Sequence, residues 1–145
     1  MRAYAQYLLL GAGDHLTSIP KPENPSTQLP QLLALLGTSG LTAAIGLSEA
    51  ARIKLGETVL ITAAAGGLGH IAAQWAALQG ARVVAVVGSE AKRAFLEKIS
   101  EGKKFERIIN YRSEDLSAVL KAEYPVSLNL NLKVSNFLCI SLVGA

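Results

Sequence analysis

Apolar residues fall into two kinds of run along this chain. Thr58–Thr62 (TVLIT), Arg82–Val87 (RVVAVV) and the shorter Arg107–Asn110 (RIIN) are continuous and rich in β-branched residues. They lack the polar alternation of a half-wetted strand and predict strands buried on both faces. Between them the apolar positions recur at helical spacing. Leu68, Ile71, Ala72 and Trp75 form a stripe that predicts a helix to about Gln79, stopped by Gly80. Ala94, Phe95 and Ile99 predict the inward face of a second helix, opened by Ser89 or Glu90, and Ser113 is expected to cap a third running to about Ala122. Strand–helix–strand–helix–strand with buried strands predicts an α/β fold with a parallel sheet and right-handed crossovers.

Upstream, PQLLALLG from Pro30 predicts a short helix with Leu32, Leu33 and Leu36 on one side, broken at Gly37–Gly40. A further helix is expected over Leu41–Ile53, capped by Thr38 or Ser39, before a turn at Leu55-Gly56-Glu57. Ala3–Leu10 reads as a strand. Pro20, Pro22, Pro25 and Pro30 make residues 14–30 an irregular crossing segment. A charged loop, Glu101–Glu106, precedes the third buried strand. Beyond Pro125 the pattern changes to period-two alternation at Leu128, Leu130 and Leu132, then a second apolar cluster. One or two added strands are expected there, with no chemical role.

The 145 residues provide for one modest domain, and with half of them apolar and 17% charged a buried core is well supplied. The net charge of +3 comes without any run of Lys or Arg, so no nucleic-acid partner is expected. A single cysteine, Cys139, excludes an internal disulfide and suits a reducing compartment; with His15 and His70 it cannot build a four-ligand zinc site, and no metal is expected. Apolar stretches such as Phe137–Ile140 and Leu142–Val143 fall short of the roughly 18 residues of a membrane span, so no membrane role is expected. Gln6 interrupts the apolar opening, which therefore reads as a strand rather than a secretory signal.

The informative segment is TVLIT-AAAGGLG-HIAAQWA. A dinucleotide site needs a tight strand-to-helix turn, bare backbone where the pyrophosphate approaches, and free N–H groups at the helix start. Against G-x-G-x-x-G the chain reads Ala64-Ala65-Gly66-Gly67-Leu68-Gly69, with Ala in place of the first glycine. Gly66 suits close backbone approach and Gly69 suits tight helix–strand packing. The buried strands on either side are the context that this motif requires. The bland alternative is that Gly66, Gly67 and Gly69 serve only a close turn. His70 reads as a packing or surface residue rather than an acid or base.

An NAD site usually places Asp or Glu about 20 residues beyond the glycines to hold the ribose hydroxyls. Here the second strand ends Val87-Gly88-Ser89-Glu90-Ala91-Lys92-Arg93. Gly88, Ser89 and Lys92 suit a 2′-phosphate; Glu90 argues for a ribose contact, and Lys92 and Arg93 also fit a solvated helix face.

The strings SGLTAAIGL (39–47), GETVLITAAAGGLGHIAAQWA (56–76), GSEAKRAFL (88–96), INYRSEDL (109–116) and AVLKAEYP (118–125) resemble the nucleotide-binding half of the medium-chain dehydrogenase/reductase superfamily, in its zinc-independent enoyl or quinone reductase branch. The resemblance covers roughly residues 3–125. It implies a partial Rossmann-type parallel sheet with flanking helices over 29–125. A remnant of a GroES-like β domain and crossing segment would precede it over 1–28, and a divergent tail would follow over 126–145. It also implies NADP(H) as cofactor and hydride transfer to the double bond of α,β-unsaturated carbonyls such as 15-keto-prostaglandins. Gly66, Gly67, Leu68 and Gly69 would lie along the pyrophosphate, Gly88, Ser89 and Lys92 around the 2′-phosphate, and Tyr111 against that phosphate or its ribose.

The chain departs from the family pattern in a nearly absent amino-terminal substrate domain, in extra length around Ser100–Lys104, and in Val126–Ala145. It therefore reads as part of the family's length, with no catalytic residue assigned. A homodimer is the assembly the resemblance suggests. The cytoplasm is the default compartment, with peroxisome and mitochondrion as the family's alternatives. The rival functional class is a non-catalytic nucleotide-binding or interaction module.

Overall fold

The computed structural model describes residues 29–100, 105–124, 133–135 and 138–143. The expected strand Ala3–Leu10, the crossing segment and GroES-like remnant, the loop residues 101–104 and the Leu128–Leu132 alternation lie outside them. Three strands, β1 (Thr58–Ile61), β2 (Arg82–Val87) and β3 (Arg107–Asn110), pair in parallel, Val59 beside Val83 and Ala85 beside Ile108. Their order in the sheet is β3-β2-β1. Because side chains alternate across a strand, each apolar run feeds two cores. Val59, Ile61, Val83, Ala85 and Val87 join one, and Leu60, Val84, Val86 and Ile109 the other.

Helices α3 (Gly69–Leu78) and α4 (Glu90–Ile99) follow β1 and β2 and supply Ile71, Ala72, Ala73, Ala76 and Leu96 to the first core. Helix α5 (Leu116–Glu123) supplies Leu120 to the second. The result is a helix–sheet–helix sandwich, as expected from the alternation of elements.

Helices α1 (Leu29–Leu36) and α2 (Thr38–Ile45) meet at Gly37, and α2 continues as a π-helical turn over Gly46–Ala51. Ala43 and Leu47 from this path are fully buried in the first core. The stretch Pro30–Ala51 is long and apolar enough to cross a membrane by length and composition, a property hidden from a search for uninterrupted apolar runs. Leu33, Leu36, Leu41 and Ile45 are exposed along it.

Several local expectations are corrected. Thr38 and Ser39 lie inside α2, whose cap is Gly37 with no side-chain hydrogen bond. Asp115, not Ser113, caps α5 by accepting from the Ser117 and Ala118 N–H groups at 2.9 and 3.2 Å. Ala94 and Phe95 of α4 are exposed, while Leu96 takes the buried position with Ile99 packed beside it. Of α1's leucines, Leu33 and Leu36 point to solvent.

The sheet is also not wholly parallel. Past β1 it continues through β5 (Leu138–Val143) and β4 (Lys133–Ser135), with β5 antiparallel to β1 and β4 antiparallel to β5. The divergent tail thus adds two strands, and β5 occupies the β1 edge.

Candidate nucleotide site

All three parallel strands release their loops at one edge of the sheet, which is where doubly wound sheets bind ligands. The turn after β1 stays tied to β2 by the Ala64 N–H donating to the Val86 carbonyl at 3.1 Å. Ala63 adopts positive φ (50°), and the Gly66 N–H closes the turn on the Ala63 carbonyl at 2.8 Å.

The glycines in this turn have different local reasons. A Cβ on Gly69 would run into the Ala63 carbonyl oxygen and lie 2.8 Å from the Ala64 Cα, so only glycine lets α3 start this close to the strand. Gly66 and Gly67 are exposed; a Cβ on Gly67 would meet only the Ser39 Oγ, at 3.9 Å. The space over Gly67 is nearly clear, a Cβ on Gly66 would lie 3.1 Å from the Ala63 carbonyl oxygen, and Leu68, the half-buried residue before α3, provides no side-chain cap. The first N–H groups of a helix have no partner within it and carry the positive end of its dipole. The exposed backbone of Gly66 and Gly67 thus lies directly before a helix start that has no side-chain cap, although the His70 N–H is already taken by the Gly66 carbonyl.

His70 sits one turn in. Its Nδ1 and its backbone N–H reach the same Gly66 carbonyl, at 2.7 and 3.0 Å, and its ring meets Phe95 edge-on with centroids 6.1 Å apart. A carbonyl can only accept, so Nδ1 carries the proton. His70 braces the turn and bridges α3 to α4.

The second loop begins at Gly88. Ser89 caps α4, its Oγ accepting from the Lys92 N–H at 3.4 Å, and the Lys92 side chain projects from the exposed first turn. The third loop is hung from the second strand: the Tyr111 N–H donates to the Val87 carbonyl at 3.1 Å. Tyr111 thereby lies against Gly88, while remaining 54% exposed. The fold brings Gly88, Ser89, Lys92 and Tyr111 into one neighbourhood at the ends of β2 and β3. The glycine turn opens at the end of the adjacent β1.

Sequence reasoning missed what joins these loops. Asn110, 4% exposed at the end of β3, donates from Nδ2 to the Glu90 carboxylate at 2.6 Å and accepts the Arg112 N–H on Oδ1 at 3.2 Å. Glu114 accepts from the Asn110 N–H at 3.2 Å, from Arg107 at 2.7 Å and from Arg93 at 3.5 Å. The polar residues of GSEAKR and INYRSE were visible, but nothing in either string pairs them. Among the described residues, no group of three or more His, Cys, Asp and Glu could hold a metal ion.

Mouse prostaglandin reductase-3 is 36% identical over 128 residues, which cover 88% of this chain and 31% of that protein. Mouse prostaglandin reductase 1 is 36% identical over 114 residues, covering 78% and 33%. The solved quinone oxidoreductase of Pseudomonas syringae superposes with a TM-score of 0.59 at 32% identity, over 72% of this chain and 31% of that one. The chain belongs to the medium-chain dehydrogenase/reductase superfamily. It matches the Rossmann-like nucleotide-binding portion of that superfamily's enoyl and quinone reductases. Escherichia coli quinone oxidoreductase, solved in complex with NADPH, matches this superfamily member with a TM-score of 0.53 at 40% identity, over 59% of this chain and 25% of its own. No protein-family model matches the chain. It spans about a third of the length of the curated relatives named above.

Proposed function

We propose that this superfamily member holds the adenosine-phosphate end of NADPH and acts within a reductase of double bonds conjugated to a carbonyl. One observation carries the reading: an exposed glycine turn at a helix start without a side-chain cap shares the strand ends with the Gly88, Ser89, Lys92 and Tyr111 cluster. Glu90, the acidic group that argued for an NAD-type ribose contact, is engaged by Asn110.

The residues fit the cofactor. Gly66 and Gly67 would lie along the pyrophosphate, whose charge the helix start favours, with Leu68 and Gly69 completing the turn. Ser89 and Lys92 would hold the 2′-phosphate, Lys92 as a charged donor and Ser89 through its hydroxyl. Tyr111 would cover that phosphate or the adjoining ribose across Gly88. When bound, NADPH supplies the hydride delivered to the β-carbon of the substrate. The chain's part is to bind and orient the donor.

The substrate class rests on the relatives, which are prostaglandin and quinone reductases by name. Enones such as 15-keto-prostaglandins, and quinones, are the compounds to test. The rival non-catalytic module has no comparable support. Titrating the chain with NADPH and NADH by calorimetry tests the cofactor reading. NADPH should bind at least about tenfold more tightly, the worth of one charge-assisted hydrogen bond. Equal affinities, or no binding of either, would overturn it.

A further inference from the structure

Glu90 stands in the first turn of α4, between Ser89 and Lys92, at the proposed 2′-phosphate site. A free carboxylate there would repel a phosphate and would accept a hydrogen bond from a 2′-hydroxyl, the arrangement of an NAD-selective site. Its side chain is 66% exposed, so packing alone does not hold it. What holds it is Asn110, from a different strand and twenty positions away in sequence, whose buried amide donates to Glu90 Oε1 at 2.6 Å. Arg93 stands on the other carboxylate oxygen at 3.9 Å.

The Asn110 amide is itself held in place. Its Oδ1 accepts the Arg112 N–H, which settles that Nδ2 faces Glu90. Its backbone N–H is bound by Glu114, which Arg93 and Arg107 also grip. Arg93 thus stands on the Glu90 carboxylate and Glu114 on the Asn110 N–H, with Arg107 pairing Glu114 from behind.

We infer that Asn110 is a positioning residue for cofactor choice: by tying one oxygen of the Glu90 carboxylate to the end of β3 it keeps the loop after β2 open to a 2′-phosphate. The inference rests on the NADPH reading above and adds to it a residue that need not touch the cofactor. It makes one acidic side chain compatible with a phosphate site by occupying it internally rather than by deleting it.

The test is the ratio of NADPH to NADH affinity in the 145-residue chain, with folding followed by circular dichroism. Asn110→Asp retains an oxygen for the Arg112 N–H but loses the donor to Glu90 and repels it. Asn110→Ser is too short to reach Glu90 and provides a second, uncharged route to the same release. Both should lower the ratio about tenfold, partly by tighter NADH binding, the scale of one charge-assisted hydrogen bond. Adding Glu90→Gln should restore the ratio in the Asn110→Ser background, because no carboxylate remains there to be released. A wild-type chain without NADPH preference overturns the underlying reading, and this inference with it. A wild-type preference that persists in both Asn110 variants, or falls equally in Asn110→Ser with Glu90→Gln present, overturns this inference alone.

Discussion

The phenol of Tyr111 rests on the bare Cα of Gly88: a methyl group there would sit 2.7 Å from its oxygen and 3.0 Å from its Cε1. The contact packs the loop after β3 against the loop after β2, beside the Asn110–Glu90 hydrogen bond that also joins them. Gly88→Ala should push the exposed ring aside while leaving the fold intact, because the obstructing atoms are at the far end of a side chain. Thermal stability should change little, and NADPH affinity should fall several-fold. A variant binding NADPH as tightly as the parent would remove Tyr111 from the cofactor site.

Lys92 projects from the first turn of α4 beside the Ser89 cap. Lys92→Ala should weaken NADPH binding roughly tenfold to a hundredfold, the range for losing a charged hydrogen bond to phosphate, and leave NADH binding nearly unchanged. Parallel titrations of both cofactors check the difference. Equal losses would point to a disturbed helix start instead.

Two glycines of one turn should fail differently. Gly66→Val adds a branched side chain where a Cβ already lies 3.1 Å from the Ala63 carbonyl, so the turn needs only a small adjustment. The chain should fold and lose dinucleotide binding. Gly69→Ala meets the backbone of Ala63 and Ala64 and should cost about 1–3 kcal/mol of stability, the usual range for overpacking. Denaturant unfolding with cofactor titration separates the two outcomes.

Antiparallel β5 fills the edge of β1 where a doubly wound sheet would place another parallel strand, beside which the crevice for the cofactor's reactive end forms. Cofactor held only at its adenosine end is not oriented for hydride transfer, and positioning is worth several kcal/mol of barrier. NADPH consumption by the 145-residue chain with a small enone or a 15-keto-prostaglandin should stay at background, with NADPH still binding. Turnover near that of a full-length superfamily reductase would show that β5 is no obstacle.

Away from the site, burial and the nearby Glu106 carboxylate raise the Tyr124 phenol above its usual range near 10. The folded chain thus holds this proton more tightly than the unfolded one. The stability concerned is complete below about pH 10 and is lost as pH climbs through the raised value. In Glu106→Gln, ultraviolet titration should find Tyr124 ionising at lower pH than in the parent.

The amino-acid sequence by itself determined the strands and their sidedness. Arg82–Val87 and Arg107–Asn110 appear as the pattern predicts because a continuous β-branched run between polar or glycine stops leaves few alternatives. The glycine turn was legible for the same local reason: Gly69 is required by backbone contacts within its own strand–turn–helix unit. Tertiary structure decided the choices for which neighbouring residues were equally suited. Ser113 and Asp115 could each cap α5, and the bonds of Ser117 and Ala118 settle on Asp115. Phe95 and Leu96 could each face inward, and the core takes Leu96. The pairing of Glu90 with Asn110 spans two strand ends, and β5 enters antiparallel beside β1 from the far end of the chain. Neither has a local pattern to announce it, because both arise only when the sheet brings distant segments into register.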